Sequence, residues 1–155
     1  MNTIRVNGEP LTPSKIVCIG RNYVEHIHEL GNQIPEQMVV FNKPNSAIGQ
    51  QLNSFCEESL HYEAEICFVH SRGKFNAVGV GLDMTKRELQ SKLKQKGLPW
   101  ERAKAFDGSA IFSDFVTIDN ISDELSIQLT IDGELVQSGT IAQMMYKPDE
   151  ILRQL

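Results

Sequence analysis

The chain has 155 residues, 41% hydrophobic and 23% charged, with a formal net charge of −5, values ordinary for one globular domain large enough to bury a core. The acidic balance argues against nucleic acid or an anionic membrane as partner, and no apolar run is long enough to span a bilayer. MNTIRVNGEP lacks the apolar core of a signal peptide, and Cys18, Cys56 and Cys67, odd in number and without CxxC spacing, read as reduced thiols of a cytoplasmic protein.

Residues 3–6 predict a short strand closed by Asn7-Gly8, a strong hairpin signal. Pro10 and Pro13 punctuate the approach to Lys15–Ile19, a short apolar run that predicts a buried strand ending at Gly20. GRNYVEHIHELGN then predicts a helix over 22–30, capped by Asn22 and ended by Gly31. At 100° per residue Tyr23, His26, Ile27 and Leu30 share one stripe, Glu29 lies at its edge one turn from His26, and His28 turns outward. His26 beside Glu29 admits two readings: a general base oriented by its carboxylate, or a core histidine satisfied by it.

The polar stretch 31–60 predicts one short strand, Met38–Phe41, then an outward turn at Lys43-Pro44, and is expected to form a mobile flap. From His61 to Thr85 the pattern becomes informative. Period-2 alternation over Tyr62–Val69 places Tyr62, Ala64, Ile66 and Phe68 on one face and Glu63, Glu65, Cys67 and Val69 on the other. Two acids at i and i+2 repel each other and call for a lysine or a divalent metal. In Ala77–Asp83 one face carries Val78, Val80 and Leu82, and the other carries Gly79, Gly81 and Asp83. A bare glycine track leading to an acid suggests the floor of a pocket. Three carboxylates suit Mg2+ or Mn2+, although a solvent-facing strand with hydrated acids has the same pattern.

Thr85 to Glu88 reads as a capping box opening a helix over 86–96, with Leu89 and Leu93 inward, Gln90 bordering the core and Gly97 at its end. LPWERAKAFDGSA reads as a loop or short helical turn holding Trp100 and Lys104. Residues 111–118 and 125–131 predict strands, Asp132-Gly133 turns the second into Glu134–Gln137, and Pro148 opens a short final helix. The sum is an α+β fold in a single domain, mostly β, with a rolled or barrel-like mixed sheet and short flanking helices.

IGRNYVEHIHELGN, FNKPNSAI, HYEAEICFV, GVGLDMTKRELQ and GLPWERAKAFDGSA, in this order, resemble the fumarylacetoacetate hydrolase superfamily, particularly its small members that act on acylpyruvates and related 2-oxo acids. By motif, the resemblance implies Glu63, Glu65 and Asp83 as ligands of Mg2+ or Mn2+, and His26 and Glu29 as the catalytic pair. It implies Lys104 and Gln90 as substrate contacts, Lys104 also neutralising developing charge. Arg21 and Asn22 belong to the GRNY signature on the substrate side, with their exact role open. The implied chemistry is hydrolysis: the metal stabilises an enolate while His26 activates water against the distal carbonyl, releasing pyruvate and a short carboxylic acid. Oxaloacetate decarboxylation, and tautomerisation or isomerisation of unsaturated 2-oxo diacids, use the same enolate. Members of this family continue past the equivalent of Leu155 into a Gly/Thr-rich PGDxIxTGTPxGVG stretch whose threonine lines the pocket. Its lack here gives the expectation of a C-terminally truncated domain with exposed sheet edges, a homodimer or higher homo-oligomer, and impaired turnover.

Overall fold

A computed structural model describes residues 1–23 and 34–155. The helix expected over 22–30 therefore lies, past its first two positions, outside the described residues, as do His26 and Glu29. β1 (Ile4–Val6) and β2 (Glu9–Leu11) make the expected hairpin, with Asn7 and Gly8 at φ 50° and 84°. β3 (Lys15–Gly20) pairs antiparallel with β4 (Val39–Pro44).

The main sheet is built on two long strands, β7 (Glu58–Ser71) and β8 (Lys74–Lys86), flanked by β5 (Ile48–Gly49), β6 (Phe55–Cys56), β9 (Ala110–Phe112) and β10 (Val116–Thr117). Its order is β5-β9-β8-β7-β6, with β10 also on β8; β5 runs parallel to β9 and the other pairs are antiparallel. β11 (Ser126–Ile131) and β12 (Glu134–Thr140) form a separate hairpin through Asp132-Gly133. The α-helices among the described residues are α1 (Arg87–Gln95), α2 (Glu101–Lys104) and α3 (Pro148–Gln154). The chain thus has the α+β, mainly β architecture with mixed sheets that its patterning implies. No helix among the described residues is long and apolar enough to cross a membrane.

Register decides what the central pair presents. Glu63 lies opposite Asp83, Glu65 opposite Gly81, Cys67 opposite Gly79 and Val69 opposite Ala77, so all eight side-chain positions share one face. Toward the Arg72-Gly73 turn this face is core: Ala77 and Phe115 are buried with Ile4 and Ile48, and Cys67, Val69 and Phe112 pack against them. Toward the open end it carries the acids. On the opposite face Ala64 and Met84 are buried, while Tyr62 is 42% and Val80 46% exposed.

Three local expectations are corrected. The glycine track is no pocket floor: a methyl group on Gly79 would stand 2.9 Å from the Phe115 ring, and one on Gly81 would stand 2.7 Å from Cys67 Sγ and 3.1 Å from Phe112. The glycines make room for aromatic rings. The Thr85–Glu88 capping box does not form, because Thr85 is still in β8; the Glu58 carboxylate of β7 accepts from the Glu88 and Leu89 amides, supplying a cap from across the sheet. Nor does Lys43 turn the chain outward. It continues β4 and is only 1% exposed, and residues 39–49 are largely strand rather than flap.

Candidate active site

The open end of the acid face meets Lys104, the last residue of α2, which is 4% exposed. Its ammonium donates to Glu63 Oε2 at 2.9 Å, Asp83 Oδ2 at 2.7 Å and Thr85 Oγ1 at 2.7 Å. A cation between facing acids is what their repulsion demands. Burial alone would lower the Lys104 pKa, but the charges of Asp83 and Glu63 outweigh it and hold the value above the ordinary lysine range. The ammonium is therefore kept charged.

A second buried cation stands behind Asp83. Lys43 Nζ lies 2.8 Å from Asp83 Oδ1 and donates to the carbonyls of Ser109 (3.0 Å), Met84 (3.4 Å) and Lys104. Burial lowers its pKa first, and Asp83 acts against that. Among the described residues, Asp83 Oδ1 has this close ion pair but no donor in good hydrogen-bonding direction. The Lys104 carbonyl also accepts from Ser109 Oγ at 2.9 Å, and the Ser109 carbonyl accepts from the Met84 amide at 2.9 Å. The AKAFDGSA loop is thus fastened to the end of β8, and Lys104 with it.

Arg87, at the start of α1, completes the cluster. Its guanidinium donates to Glu63 Oε1 at 3.1 Å and to Gln90 Oε1 at 2.7 Å. Gln90 is buried, and Arg87 links it to Glu63. The sequence reading missed Arg87 and Lys43; the one available signal was that Arg87 sits one turn before Gln90's far side, four residues after Asp83. Arg21 follows β3 with φ 55°, a left-handed conformation uncommon for a side chain of its size. Lys94 has its pKa lowered by burial first, then by the charges of Arg21 and Arg87. Asn22 is buried, and its amide is engaged by the Tyr146 backbone in both directions. Tyr23 has its pKa pushed up to about 12 by burial and then by Glu65, and the Cys18 thiol rises to about 12 by burial and then by Asp83.

A cleft of about 630 Å³ adjoins the cluster, lined by Phe41, Asn42, Leu98, Pro99, Trp100 and Lys104. Phe41 and Trp100 pack with ring centroids 6.1 Å apart, and Lys104 Nζ lies 5.3 Å from the Phe41 centroid. Lys104 is therefore common to the acids and the cleft.

Of the positions expected to bind metal, the fold brings Glu63 and Asp83 onto one ammonium and sets Glu65 on the same face, two residues along β7. Among the described residues, no three Asp, Glu, His or Cys side chains stand at cation-holding distances of one another. Lys104 fills the space between the first two. The donor chemistry still fits a hard divalent cation: the carboxylates face one way, every donor is oxygen, and among the described residues Asp83 Oδ1 has no donor in good hydrogen-bonding direction.

A strand-built acid face, a buried lysine pair and a cleft beside them define a class of enzyme, and comparison gives its family. The fumarylacetoacetate (FAA) hydrolase C-terminal family matches residues 15–155. Oxaloacetate tautomerase YcgM of Escherichia coli K12 is 36% identical over 152 residues, covering 86% of this chain and 69% of that protein. The mitochondrial oxaloacetate decarboxylase of Dictyostelium discoideum is 32% identical over 160 residues, covering 92% and 73%. The crystal structure of fumarylpyruvate hydrolase from Pseudomonas aeruginosa, in complex with Mn2+ and pyruvate, superposes with a TM-score of 0.86 at 26% identity, covering 99% of this chain and 76% of that one. The chain belongs to the fumarylacetoacetate hydrolase family.

Proposed function

We propose that this chain catalyses keto–enol conversion of oxaloacetate or a similar short 2-oxo diacid, using Mg2+ or Mn2+ held by Glu63, Glu65 and Asp83. The observation that carries the reading is the Lys104 ammonium, kept charged at the cleft wall, where an enolate oxygen gains negative charge as the reaction proceeds. The relatives named for oxaloacetate support the substrate class. The bound cation would supply Lewis-acid polarisation of the 2-oxo carbonyl.

His26, oriented by Glu29, removes a proton from the carbon beside the ketone, and the electron pair moves onto the carbonyl oxygen. Lys104 stabilises that oxygen, and protonation there completes the enol. Gln90, with its carbonyl held by Arg87, turns its amide N–H groups toward the substrate carboxylate, and Arg21 brings further positive charge to the same end. Decarboxylation would pass through the same enolate with loss of CO2 in place of the proton. Hydrolysis of acylpyruvates is the second reading, favoured by the likeness to fumarylpyruvate hydrolase. Three free cysteines suit a cytoplasmic enzyme. The open apolar sheet face with Tyr62, Val80 and Val116 suits a homodimer, which light scattering would detect.

The test follows enol absorbance of oxaloacetate with Mn2+ or Mg2+ and after EDTA, beside CO2 release from oxaloacetate and pyruvate release from acetylpyruvate. Enol–keto conversion should be fastest and should be lost in EDTA. Pyruvate release as the fastest reaction would establish the hydrolase reading in its place.

A further inference from the structure

The β11–β12 hairpin lies outside the main sheet, yet one side-chain amide ties it to β7 and a second ties the residues that follow it, Met145 and Tyr146, to Asn22 just past β3. On the edge of β7 that does not pair with β8, Ala64 presents its N–H and C=O together. Gln137 of β12 takes both: its Oε1 accepts from the Ala64 N–H at 2.9 Å, and its Nε2 donates to the Ala64 carbonyl at 2.6 Å. A carboxamide offers one acceptor and a donor side by side, so Gln137 stands in for one residue of a neighbouring strand. The second tie uses the same chemistry in reverse. Asn22, leading into residues 24–33, donates from Nδ2 to the Tyr146 carbonyl at 3.0 Å and accepts at Oδ1 from the Tyr146 N–H at 2.8 Å, while the Met145 N–H donates to the Asn22 carbonyl at 2.8 Å. Tyr23 bridges to Met144, and its ring covers Gly139 of β12, where a methyl group would come within 3.2 Å.

Ala64 lies between Glu63 and Glu65. Its peptide groups set the height and pitch of β7 at the point where both carboxylates leave it. Resting on the metal-site reading above, we propose that the hairpin and the residues 141–146 that follow it form a bracket holding the acid-bearing strand against the segment that leads to His26, with Gln137 and Asn22 as positioning residues. Neither side chain needs to touch substrate. Each acts through the backbone it holds.

The experiment measures Mn2+ affinity from the signal of free Mn2+ in electron paramagnetic resonance, and deuterium exchange at the Ala64 amide, at a temperature where every variant is folded. Gln137→Met keeps the length but removes both bonds, and Gln137→Glu keeps only the acceptor. Ile4→Val, in the core remote from the site, controls for lost stability. Gln137→Met should weaken Mn2+ binding by about tenfold and speed Ala64 exchange, with Gln137→Glu between it and the parent and Ile4→Val unchanged. Should Gln137→Met fail to fold, the ranking of parent, Gln137→Glu and Ile4→Val decides alone. Affinity within about twofold of the parent in the Gln137 variants, or an equal loss in Ile4→Val, overturns the bracket. Parent protein that binds no Mn2+, or binds it as well after Glu65→Gln, overturns the metal reading itself, and the exchange rate then reports the clamp separately.

Discussion

Replacing Lys104 with methionine keeps the length of the side chain and its packing on Phe41 but removes the cation shared by Glu63, Asp83 and Thr85. Removing one partner of a buried ion pair costs about 3–5 kcal/mol, because the partner left behind stays desolvated. Here the lower figure applies, since Asp83 keeps Lys43 and the partly exposed Glu63 keeps Arg87. About 3 kcal/mol corresponds to a fall in Tm of roughly 6–12 °C for a chain of this size. The acids left facing each other would then be open to a divalent ion, and Mn2+ at a hundred times its Kd would return about 2.7 kcal/mol. Thermal melts of parent and Lys104→Met in EDTA and in Mn2+ give the four values needed. The variant should melt well below the parent in EDTA, and in Mn2+ it should return only to about the level of the parent in EDTA. Melting within about 2 °C of the parent in EDTA would refute the idea that this ammonium neutralises the acid face.

Asp83→Asn should abolish any Mn2+-dependent rise in Tm and leave Lys43 and Lys104 short of a counter-ion, lowering Tm in EDTA as well. Gly81→Ala should cost about 1–3 kcal/mol in urea melts, because the added methyl meets Cys67 Sγ and Phe112; Cys67→Ala in the same chain should recover part of the loss. Stability should fall above pH 9. The Cys18 thiol rises from 9.0 to about 12 on folding and the Tyr23 phenol from 10.0 to about 12, so the unfolded chain ionises first as pH rises. The contribution is intact below pH 9 and lost between about 9 and 12, at about 1.4 kcal/mol per pH unit for the buried Cys18 thiol once its unfolded form titrates, and by less for the half-exposed Tyr23, whose charge solvent screens. Cys18→Ala should flatten that slope in urea melts at pH 8 and 10, and an unchanged slope would count against the burial of this thiol.

What could be read from the sequence was what strand periodicity and turn chemistry determine locally. Alternation over 62–69 and 77–83 put Glu63, Glu65 and Asp83 on one face, and Asn7-Gly8 and Asp132-Gly133 marked hairpins whose central residues do adopt positive φ. Which face is covered was not legible, because the covering rings of Phe112 and Phe115 come from the end of β9 and the link to β10, much further along the chain. Lys43 looked like a loop lysine beside a proline; only the distant Asp83 and the Ser109 carbonyl make it a buried cation. Glu58 replaced the local cap of α1 for the same reason, since a strand thirty residues upstream delivered a better-placed carboxylate. Gln137 and Asn22 carry no periodic signal at all, because their partners are backbone groups.

The division of one sheet face between core and acids has a consequence for how such a chain can diversify. Along β7 and β8 the residues that hold the fold, from Cys67 to Ala77, are separated in sequence from those at the acid-bearing end, Glu63 to Glu65 and Gly81 to Lys86, the reactive end in the reading proposed above. Substitutions at the reactive end, in α1 or in the Phe106–Ser109 loop can alter the charge offered to a substrate without opening a cavity under Phe115. Inheritance can therefore vary one end of a hairpin while purifying selection acts on the other. Relatives that share this fold while being named for tautomerisation, decarboxylation and hydrolysis are what such a hairpin would be expected to leave behind.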